Sequence, residues 1–433
     1  MSALAAAWQR FWFRPVPVRR VAIYRIAVGL YAFFDIVIVS GFISHYSRTS
    51  TQFYKPLRVL GLFGSVLPLS PQATTALHIV LAVALAMVVL GVFTRIALIV
   101  AAPLYLWWFA TFYSFGAVQH GRIIVIMSLF VLIIAPAGRA LSIDAIRMRA
   151  RRVRAGTGVP AVIEEVDPLA GWALRVVMIM IVAAYTLAAY AKLHTSGLGW
   201  ATSGALERVI IEKNTSLGIW VSHYPTVVRA MQFLTLCMEA TTAVVLFRGR
   251  IRDFYFLSLG AFHLGTILLL NINFLGLMIG YLAFYDLEIG ADRVGAYVRR
   301  VVHVSPVDLV YDSDCGLCVR VISSILSLDW LRAISARPGP PGLSAMRATR
   351  RGRTSEGYAA FRETAHVVPA LTPTLLLAYL PPVAGLGRRV YGWVASHRSI
   401  AGACVVAPDA SPAVAIAPQA PASGDTGIGQ DRT

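Results

Sequence analysis

Long apolar runs are the feature that most constrains what this chain can fold into. The segments 21–43, 79–94 and 96–113 are each apolar enough to cross a hydrocarbon core about 30 Å thick. Over the whole chain 57% of residues are hydrophobic and 14% are charged, whereas a typical soluble domain is about 25% charged. A largely soluble fold is therefore excluded, and the sequence predicts a mainly α, polytopic membrane protein.

The basic residues beside the apolar runs indicate how the chain is oriented. Arginine clusters lie before the first predicted span and after the second, fourth and sixth. All of them fall on one side if the N-terminus is cytoplasmic, which is the distribution that the positive-inside rule describes. The net charge of +18 is explained in this way, and we expect no nucleic-acid partner. The predicted spans are 21–43, 73–94, 96–117, 122–137, 172–192 and 226–247.

The apolar stretch 254–287 decides on which side the C-terminal part lies. As one helix its 34 residues would be about 51 Å long, too long for a single crossing. Asn271 and Asn273 interrupt it, so we predict two short helices with a break between them. Two crossings give about eight spans and a cytoplasmic C-terminal domain, which we expect. A single crossing would place that domain outside.

Composition shifts divide the chain into five parts. Trp and Arg residues alternate in the N-terminal segment, as in chains that lie at the level of the lipid headgroups. Residues 335–357 are rich in Arg, Gly and Pro and predict a loop, and 375–398 is expected to pack on the membrane or on its own domain. The predicted parts are an interfacial segment 1–20, a transmembrane domain 21–288, a linker 289–305, a small α/β domain 306–399 that carries the CxxC pair and a disordered tail 400–433.

A CxxC pair follows a predicted strand and opens a predicted helix. VDLVY (307–311) has the pattern of a buried strand, and the amphipathic VRVISSILSLDW follows the cysteines. A helix N-terminus stabilises a thiolate, so Cys315 is the candidate attacking thiol and Cys318 the resolving one, together a redox-active disulfide. Structural zinc needs about four ligands, and only His303 lies near, so we expect no metal. Two thiols without a role remain the other alternative.

The same segment predicts how the helix packs. The spacing of Val321, Ile325 and Leu328 is that of one helix face, which we expect to lie on the strand 307–311. Trp330 and Leu331 are expected to close the helix.

VYDSDCGLCVRVISSILSLDW resembles the opening of the DCC family of thiol-disulfide oxidoreductase domains, whose hallmark is a YDGDCxxC-type strand, turn and helix. GYAAFRE and RRVYGWVASHR are similar to the middle and closing segments of that family. The resemblance implies a thioredoxin-like fold over roughly 306–399. Two departures are that Ser313 stands where the family usually has glycine, and that no second strand is evident between 331 and 357.

Lys192 is the most informative polar residue of the transmembrane part. It stands where a predicted span ends, with Trp200 and Gly204 following. Ionisable residues in apolar spans are costly and are therefore candidates for function. A lysine at this position either extends its ammonium group to the interface or is a partly desolvated amine that acts as a base.

This Lys, Trp and Gly arrangement resembles the horizontally transferred transmembrane (HTTM) domain, shared with vitamin K-dependent gamma-glutamyl carboxylase. Further segments agree over most of 20–287: AIYRIAVGLYAFFD, the run that begins at His120, CMEATTAVVLFRGR with Glu239 and FHLGTILLLNINF with His263. The resemblance implies a reduced quinone (menaquinol or vitamin K-like) that Lys192 deprotonates, with His120 as a second catalytic candidate. Trp200, His263 and Glu239 are the candidate cofactor-binding residues, although His263 and Glu239 could equally form a packed pair between two helices.

Three hypotheses for function follow. The first is a membrane oxidoreductase in which thiol exchange is coupled to a quinone- or lipid-binding helical domain. The second is a carboxylase-like enzyme that modifies a peptide or small substrate, with the CxxC domain as reductant; the large extra-membrane region of the carboxylase has no counterpart here. The third is a non-enzymatic scaffold. The expected partners are the lipid bilayer of the cell membrane, a quinone and a thiol-bearing protein or peptide.

Overall fold

The computed structural model describes residues 3–58, 70–116, 120–154, 165–313, 315–340 and 343–397. The predicted tail 400–433 lies outside these residues. Helices dominate up to residue 301, and a four-stranded sheet with helices follows. The helices of the first part are α1 (Ala3–Trp12), α2 (Val18–Phe34), α3 (Pro71–Leu90), α4 (Thr94–Tyr113), α5 (Ile123–Ile134), α6 (Ile143–Arg154), α7 (Pro168–Ser196), α8 (Gly199–Thr202), α9 (Ala205–Lys213), α10 (Ser216–Ser222), α11 (Pro225–Ala240), α12 (Arg250–Leu270), α13 (Leu275–Met278) and α14 (Leu287–Val301).

Within the described residues, five helices are long and apolar enough to cross a membrane, in agreement with a multi-pass membrane protein. They cover Val18–Val39, Pro71–Leu90, Thr94–Tyr113, Pro168–Ser196 and Arg250–Leu270. The first of them continues α2 through one π-helical turn, Asp35–Val39. Shorter apolar helices at Ile123–Ile134 and Leu275–Phe284 accompany the long ones. Each predicted span has a helix within a few residues of its predicted bounds.

A buried arginine fixes one end of the bundle. Arg25 on α2 is fully buried and donates to the carbonyl oxygens of Ala137 at 2.7 Å and Leu141 at 2.6 Å. Gly91 ends α3 with a φ of 67°, and a Cβ there would lie 2.2 Å from Ser142. Only glycine suits this left-handed position in close contact. The turns after α3 and α5 are thereby held against α2.

The same end gathers most of the arginines of the helical part, and we call it the arginine-rich end. Arg20, just inside α2, pairs with Asp286 at 2.6 Å and with Glu288 at 2.5 Å. Arg139 pairs at 2.7 Å with Asp167, which lies in a two-residue strand, β2 (Val166–Asp167). β2 is antiparallel to β1 (Val16–Pro17). The chain segments before α2, before α7 and before α14 therefore meet at one end of the bundle.

The break predicted within 254–287 is present. Asn271 ends α12 in the left-handed conformation, with a φ of 51°. The side chain of Asn273 then accepts the backbone N–H of Leu275 at 2.8 Å, where α13 starts. α13 leads into a 3₁₀ segment, Ile279–Phe284, which returns the chain to Asp286 at the arginine-rich end. The first of the two helices is longer than predicted, because α12 begins at Arg250.

The C-terminal domain is a mixed sheet with helices, consistent with a thioredoxin-like α/β fold. The elements of this domain are β3 (Val307–Tyr311), α15 (Gly316–Leu328), β4 (Ile334–Pro338), β5 (Arg347–Arg350), β6 (Arg353–Glu356), α16 (Tyr358–Val367), α17 (Leu375–Ala378) and α18 (Pro381–Ser396). The strand order in the sheet is β4-β3-β5-β6. β3 and β4 are parallel and are joined by α15, since a parallel pair needs a crossover connection, while β3 and β5 are antiparallel.

Three predictions about this domain are wrong in part. The loop predicted at 335–357 contains three strands, so the second strand that the sequence did not reveal is β4. α15 ends at Leu328, before Trp330 and Leu331. Its buried side is formed by Val319, Ile322 and Ile325, whereas Val321 is 42% exposed. Ile325 and Leu328 do pack against the core, but Val321 belongs to the surface.

The C-terminal domain rests on the arginine-rich end. Helix α15 packs along α6, where Arg149 donates to the hydroxyl of Ser327 at 2.5 Å. Asp292 on α14 pairs with Arg19 of the helical bundle at 2.6 Å and with Arg332 of the C-terminal domain at 2.7 Å. The predicted linker 289–305 is therefore mostly helical and takes part in this contact.

Candidate functional sites

The two CxxC thiols meet where β3 gives way to α15. Cys315 is the N-cap residue of α15, and its Sγ accepts the backbone N–H of Cys318 at 3.4 Å. A thiol at this position lies among unpaired N–H groups and at the positive end of the helix dipole, both of which stabilise a thiolate. Cys315 is 2% exposed, and Cys318 is more accessible. No disulfide joins Cys315 and Cys318 in this structure.

Buried polar groups frame this site at both ends of the redox helix. Tyr311, the last residue of β3, is buried, and burial raises the pKa of its hydroxyl. At the other end of α15, burial raises the pKa of Asp329, while its carboxylate accepts the backbone N–H groups of Ala333 at 3.0 Å and Ile334 at 2.8 Å. These bonds hold the turn that leads into β4.

The candidate residues of the helical part form a second cluster. Lys192 on α7 donates to both carboxylate oxygens of Glu239 on α11, at 2.8 and 2.6 Å. Its ammonium nitrogen also lies 5.1 Å from the ring centroid of Trp200, within the range of a cation–π contact. Glu239 is nearly buried, and Lys192 keeps 23% of its side-chain surface exposed. The lysine is therefore part of an ion pair and not an isolated amine.

The two predicted histidines flank one aromatic ring. Phe274 lies 5.2 Å from the ring of His120 and 5.2 Å from that of His263, measured between centroids. His263 Nε2 is 2.5 Å from the hydroxyl of Tyr185, which also contacts the hydroxyl of Tyr281. The alternative of a His263–Glu239 pair is wrong, because each of the two bonds to a different partner.

Sequence reasoning missed three residues of this second cluster. Tyr185 and Tyr281 form the hydroxyl pair beside His263. Gln232 is buried and donates through Nε2 to the carbonyl oxygen of Trp200 at 2.7 Å. Gln232 lies seven residues before Glu239, two turns of one helix, so a polar stripe on an otherwise apolar helix was the available signal.

Two buried polar atoms in this cluster have no hydrogen-bond partner among the described residues. They are Oε1 of Gln232 and Nδ1 of His263. A buried polar group without a partner is costly, and it is often explained by a bound molecule or water. Each of the two atoms can therefore take up a hydrogen bond with a bound molecule or a water.

The two sites lie at different ends of the molecule. α7 starts at Pro168, beside the β1–β2 pair of the arginine-rich end, and reaches Lys192 24 residues later. At 1.5 Å per residue this is a distance of about 36 Å along the helix. Cys315 belongs to the domain that rests on the arginine-rich end. Among the residues that the structure describes, no group of three or more His, Cys, Asp or Glu side chains is placed to hold a metal ion.

These features define a multi-pass membrane protein with a CxxC domain of strand, turn and helix. Residues 13–285 match the family model of the HTTM domain, and residues 309–402 match that of the DCC1-like thiol-disulfide oxidoreductase. The chain therefore belongs to the HTTM domain family, and a DCC1-like domain follows its membrane part. No curated protein and no solved structure gives a significant match to the chain.

Proposed function

We propose that the protein is a membrane-bound thiol–disulfide oxidoreductase that acts through Cys315 and Cys318. The observation that carries this proposal is the position of Cys315 as N-cap of α15, with the N–H of Cys318 on its sulfur at 3.4 Å. The N-terminus of a helix favours the thiolate, which is the nucleophile in thiol exchange. The proposed substrate is a disulfide bond in a partner protein or peptide.

The exchange has two steps. The Cys315 thiolate attacks one sulfur of the partner disulfide, so that a mixed disulfide forms and the partner's second sulfur leaves as a thiolate. Cys318 then loses its proton and attacks the Sγ of Cys315, which releases the partner as a dithiol. The enzyme is oxidised by two electrons and the partner is reduced by two. The reverse order of steps oxidises a partner dithiol.

The orientation in the membrane belongs to the same proposal. The bundle contains eight apolar segments if α5, α11 and the α13–3₁₀ segment cross the membrane together with the five long helices. An even number of crossings leaves both ends of the chain on one side. Arg19, Arg20 and the arginines of α6 then all lie in the cytoplasm, in agreement with the positive-inside rule. The Cys315 site is cytoplasmic in this arrangement.

The Lys192 cluster supports a second candidate function, the binding and deprotonation of a lipophilic hydroxyl compound such as a quinol. The carrying observation is the charged pair of Lys192 and Glu239, together with two buried polar atoms of the same cluster that have no partner among the described residues. The residues fit the group: Gln232 Oε1 and His263 Nδ1 would contact its hydroxyls, and Trp200 would pack on it. A bound quinol supplies a hydroxyl that becomes strongly reducing when it loses its proton.

Lys192 and Glu239 have complementary roles in this second function. Glu239 holds the Lys192 amine in place through two hydrogen bonds. In the ion pair Glu239 is the group that can accept a proton, and Lys192 accepts the proton of a substrate hydroxyl only after it has passed its own proton to Glu239. Gln232 would orient that hydroxyl. Because Lys192 lies about 36 Å along α7 from Pro168, at the end of the bundle on which the Cys315 domain rests, direct attack of Cys315 on a substrate held at Lys192 is not part of the proposal. Coupling between them would need a diffusing carrier.

Trapping of the mixed disulfide tests the first function. In Cys318→Ser, the resolving thiol is missing, so a Cys315-linked partner should accumulate in membranes and disappear on reduction. Cys315→Ser is the matched control, which should trap no partner because the attacking sulfur is gone. Trapping by Cys315→Ser and not by Cys318→Ser would reverse the two roles. Trapping by neither variant would contradict thiol exchange as the function.

A further inference from the structure

The last helix of the C-terminal domain carries an apolar face that no described part of the chain covers. Val383, Leu386, Val390 and Trp393 of α18 are all exposed, Leu386 by 62% and Trp393 by 63%. At 3.6 residues per turn these four side chains lie within an arc of about 80° on the helix surface. Contiguous apolar surface of this kind marks a contact site more often than it marks plain surface.

The helix is held firmly on the domain by another of its sides. Ala384 is buried, and Gly387 lies against the ring of Tyr358, where a Cβ would approach to 2.5 Å. The hydroxyl of Tyr391 accepts the backbone N–H of Met346 at 3.0 Å. The orientation of α18 is thereby fixed, and its apolar face points away from the domain. The segment before it adds to this surface, since Leu376, Tyr379 and Leu380 are exposed as well.

The charge of this region indicates what covers the face. No acidic residue occurs between Glu363 and Asp409, whereas Arg388 and Arg389 lie on α18 and are exposed. Trp393 and Tyr379 are residue types that are enriched where protein meets the lipid headgroups. By helical geometry Arg389 lies about 40° around α18 from Trp393 and borders the apolar face, whereas Arg388 lies on the opposite side of the helix. An apolar face with an exposed aromatic residue and a bordering arginine is the pattern of a helix that lies in a membrane interface.

The domain that carries this face is held at one end of the helical bundle. The domain is held on the arginine-rich end of the bundle through the ion pair of Asp292 with Arg332 and the contact of Arg149 with Ser327. α14, which connects the two parts, starts directly after the last apolar segment and itself exposes Val294, Tyr297 and Val301. The lipid headgroups nearest to the C-terminal domain are therefore those around the end of the bundle.

We infer that α18 is an interfacial anchor, which places its Val383–Trp393 face in the headgroup region of a bilayer that contains anionic lipid. The occupant of the face is thus the membrane itself. The anchor would keep the redox domain flat against the bundle, and it does not depend on which substrate the thiols serve. Because it concerns lipid contact alone, its test is separate from the tests of either proposed function.

Fluorescence quenching in nanodiscs tests this inference on the full chain. The native cysteines are replaced by serine, and a single cysteine at Leu386→Cys carries an environment-sensitive dye. Gly392→Cys is the matched control, because this exposed position lies on another side of α18 and a Cβ there meets no atom within 4 Å. In discs with brominated phosphatidylglycerol the dye at 386 should lose fluorescence and the dye at 392 should not. Arg388→Ser combined with Arg389→Ser should reduce the loss at 386.

Three results would overturn the inference. Equal, weak quenching by bromolipid at 386 and 392, together with full quenching by aqueous iodide, would mean that the face is open to water. A dye at 386 that is protected from both quenchers would mean that protein covers the face. If that protection disappears on truncation after residue 397, the covering segment is the chain's own; if it disappears when each disc holds one molecule, it is a second copy.

Discussion

Arg149 of α6 donates to the hydroxyl of Ser327 on α15, at 2.5 Å, and so joins the arginine-rich end of the helical bundle to the redox helix. The two residues are 178 positions apart in the chain. The Arg149 guanidinium is partly buried, and this burial lowers its pKa from the ordinary value. The contact lies at the centre of the packing of α15 on α6, and it makes the docking of the C-terminal domain testable.

Cross-linking should capture this docked arrangement. In a chain without its native cysteines, Arg149→Cys and Ser327→Cys should be joined by a short bifunctional maleimide in native membranes, because the two side chains touch. A protease site introduced near residue 303 allows the chain to be cut between the two cysteines. The cross-linked product is then detected on a gel, because its two fragments stay joined after cleavage. Arg147→Cys with Ser327→Cys is the control, since Arg147 is turned toward Asp144 and the ring of Phe93. Equal yields for both pairs would contradict specific docking.

Labelling of single cysteines should place the two sites on opposite sides of the membrane. Val321 on α15 and Leu198, beyond the Lys192 end of α7, are both well exposed. An impermeant maleimide should label Leu198→Cys in intact cells, and Val321→Cys only after the membrane is opened. This difference is expected because an even number of crossings keeps the C-terminal domain on the side of the N-terminus. Labelling of Val321→Cys in intact cells would place the domain outside and would require an odd number.

Two substitutions on the same helix should separate buried from exposed positions of α15. Ile325 is 4% exposed within the domain core, so Ile325→Asp buries an unpaired charge and should cost about 4 kcal/mol or more. Val321→Asp should change stability by less than about 0.5 kcal/mol, as expected of a surface position. The measurement is the temperature at which the buried Cys315 starts to react with a thiol-specific dye. Similar temperatures for both variants would mean that α15 is rotated from the orientation described.

The sequence predicted the helical bundle more completely than it predicted the C-terminal domain. In the bundle, hydrophobicity alone located the apolar helices, because a bilayer requires long apolar segments whose backbone bonds are internal. In the C-terminal domain the three strands β4, β5 and β6 were missed, since each has only four or five residues and few of them are apolar. A strand this short has no apolar alternation to detect.

In the candidate sites, residues close together in the sequence were predicted, and contacts between distant helices were not. The cysteine pair was located by spacing alone, because CxxC places both residues within one turn of a helix start. The partner of Lys192 was not predicted, since Glu239 is 47 residues away and only the packing of α7 on α11 brings them together. Val321 was assigned to the wrong face because heptad-like spacing fits two neighbouring faces of a helix when apolar residues are abundant.

Substitutions of Lys192 test the second function, because they distinguish the loss of a base from the loss of a stabilising ion pair. Lys192→Ala leaves Glu239 nearly buried and unpaired. Breaking a fully buried ion pair lowers the free energy of unfolding by about 3–5 kcal/mol. The loss in Lys192→Ala should be smaller, because Lys192 is partly exposed. Lys192→Arg keeps the charge, so the melting temperature should be retained. Addition of Glu239→Gln to Lys192→Ala should restore much of the lost stability, since no lone carboxylate remains.

Activity should respond differently to these substitutions. A guanidinium group does not release its proton near neutral pH, so Lys192→Arg should lose turnover of a soluble quinol analogue, measured by absorbance in nanodiscs, if Lys192 is the base. Its preserved melting temperature would exclude unfolding as the cause. Tyr190→Phe is the control, because Tyr190 lies on the same helix, is exposed, and stacks near His194 away from the ion pair. Full turnover in the arginine variant would make Lys192 a structural anchor and leave Glu239 and His120 as the candidate bases.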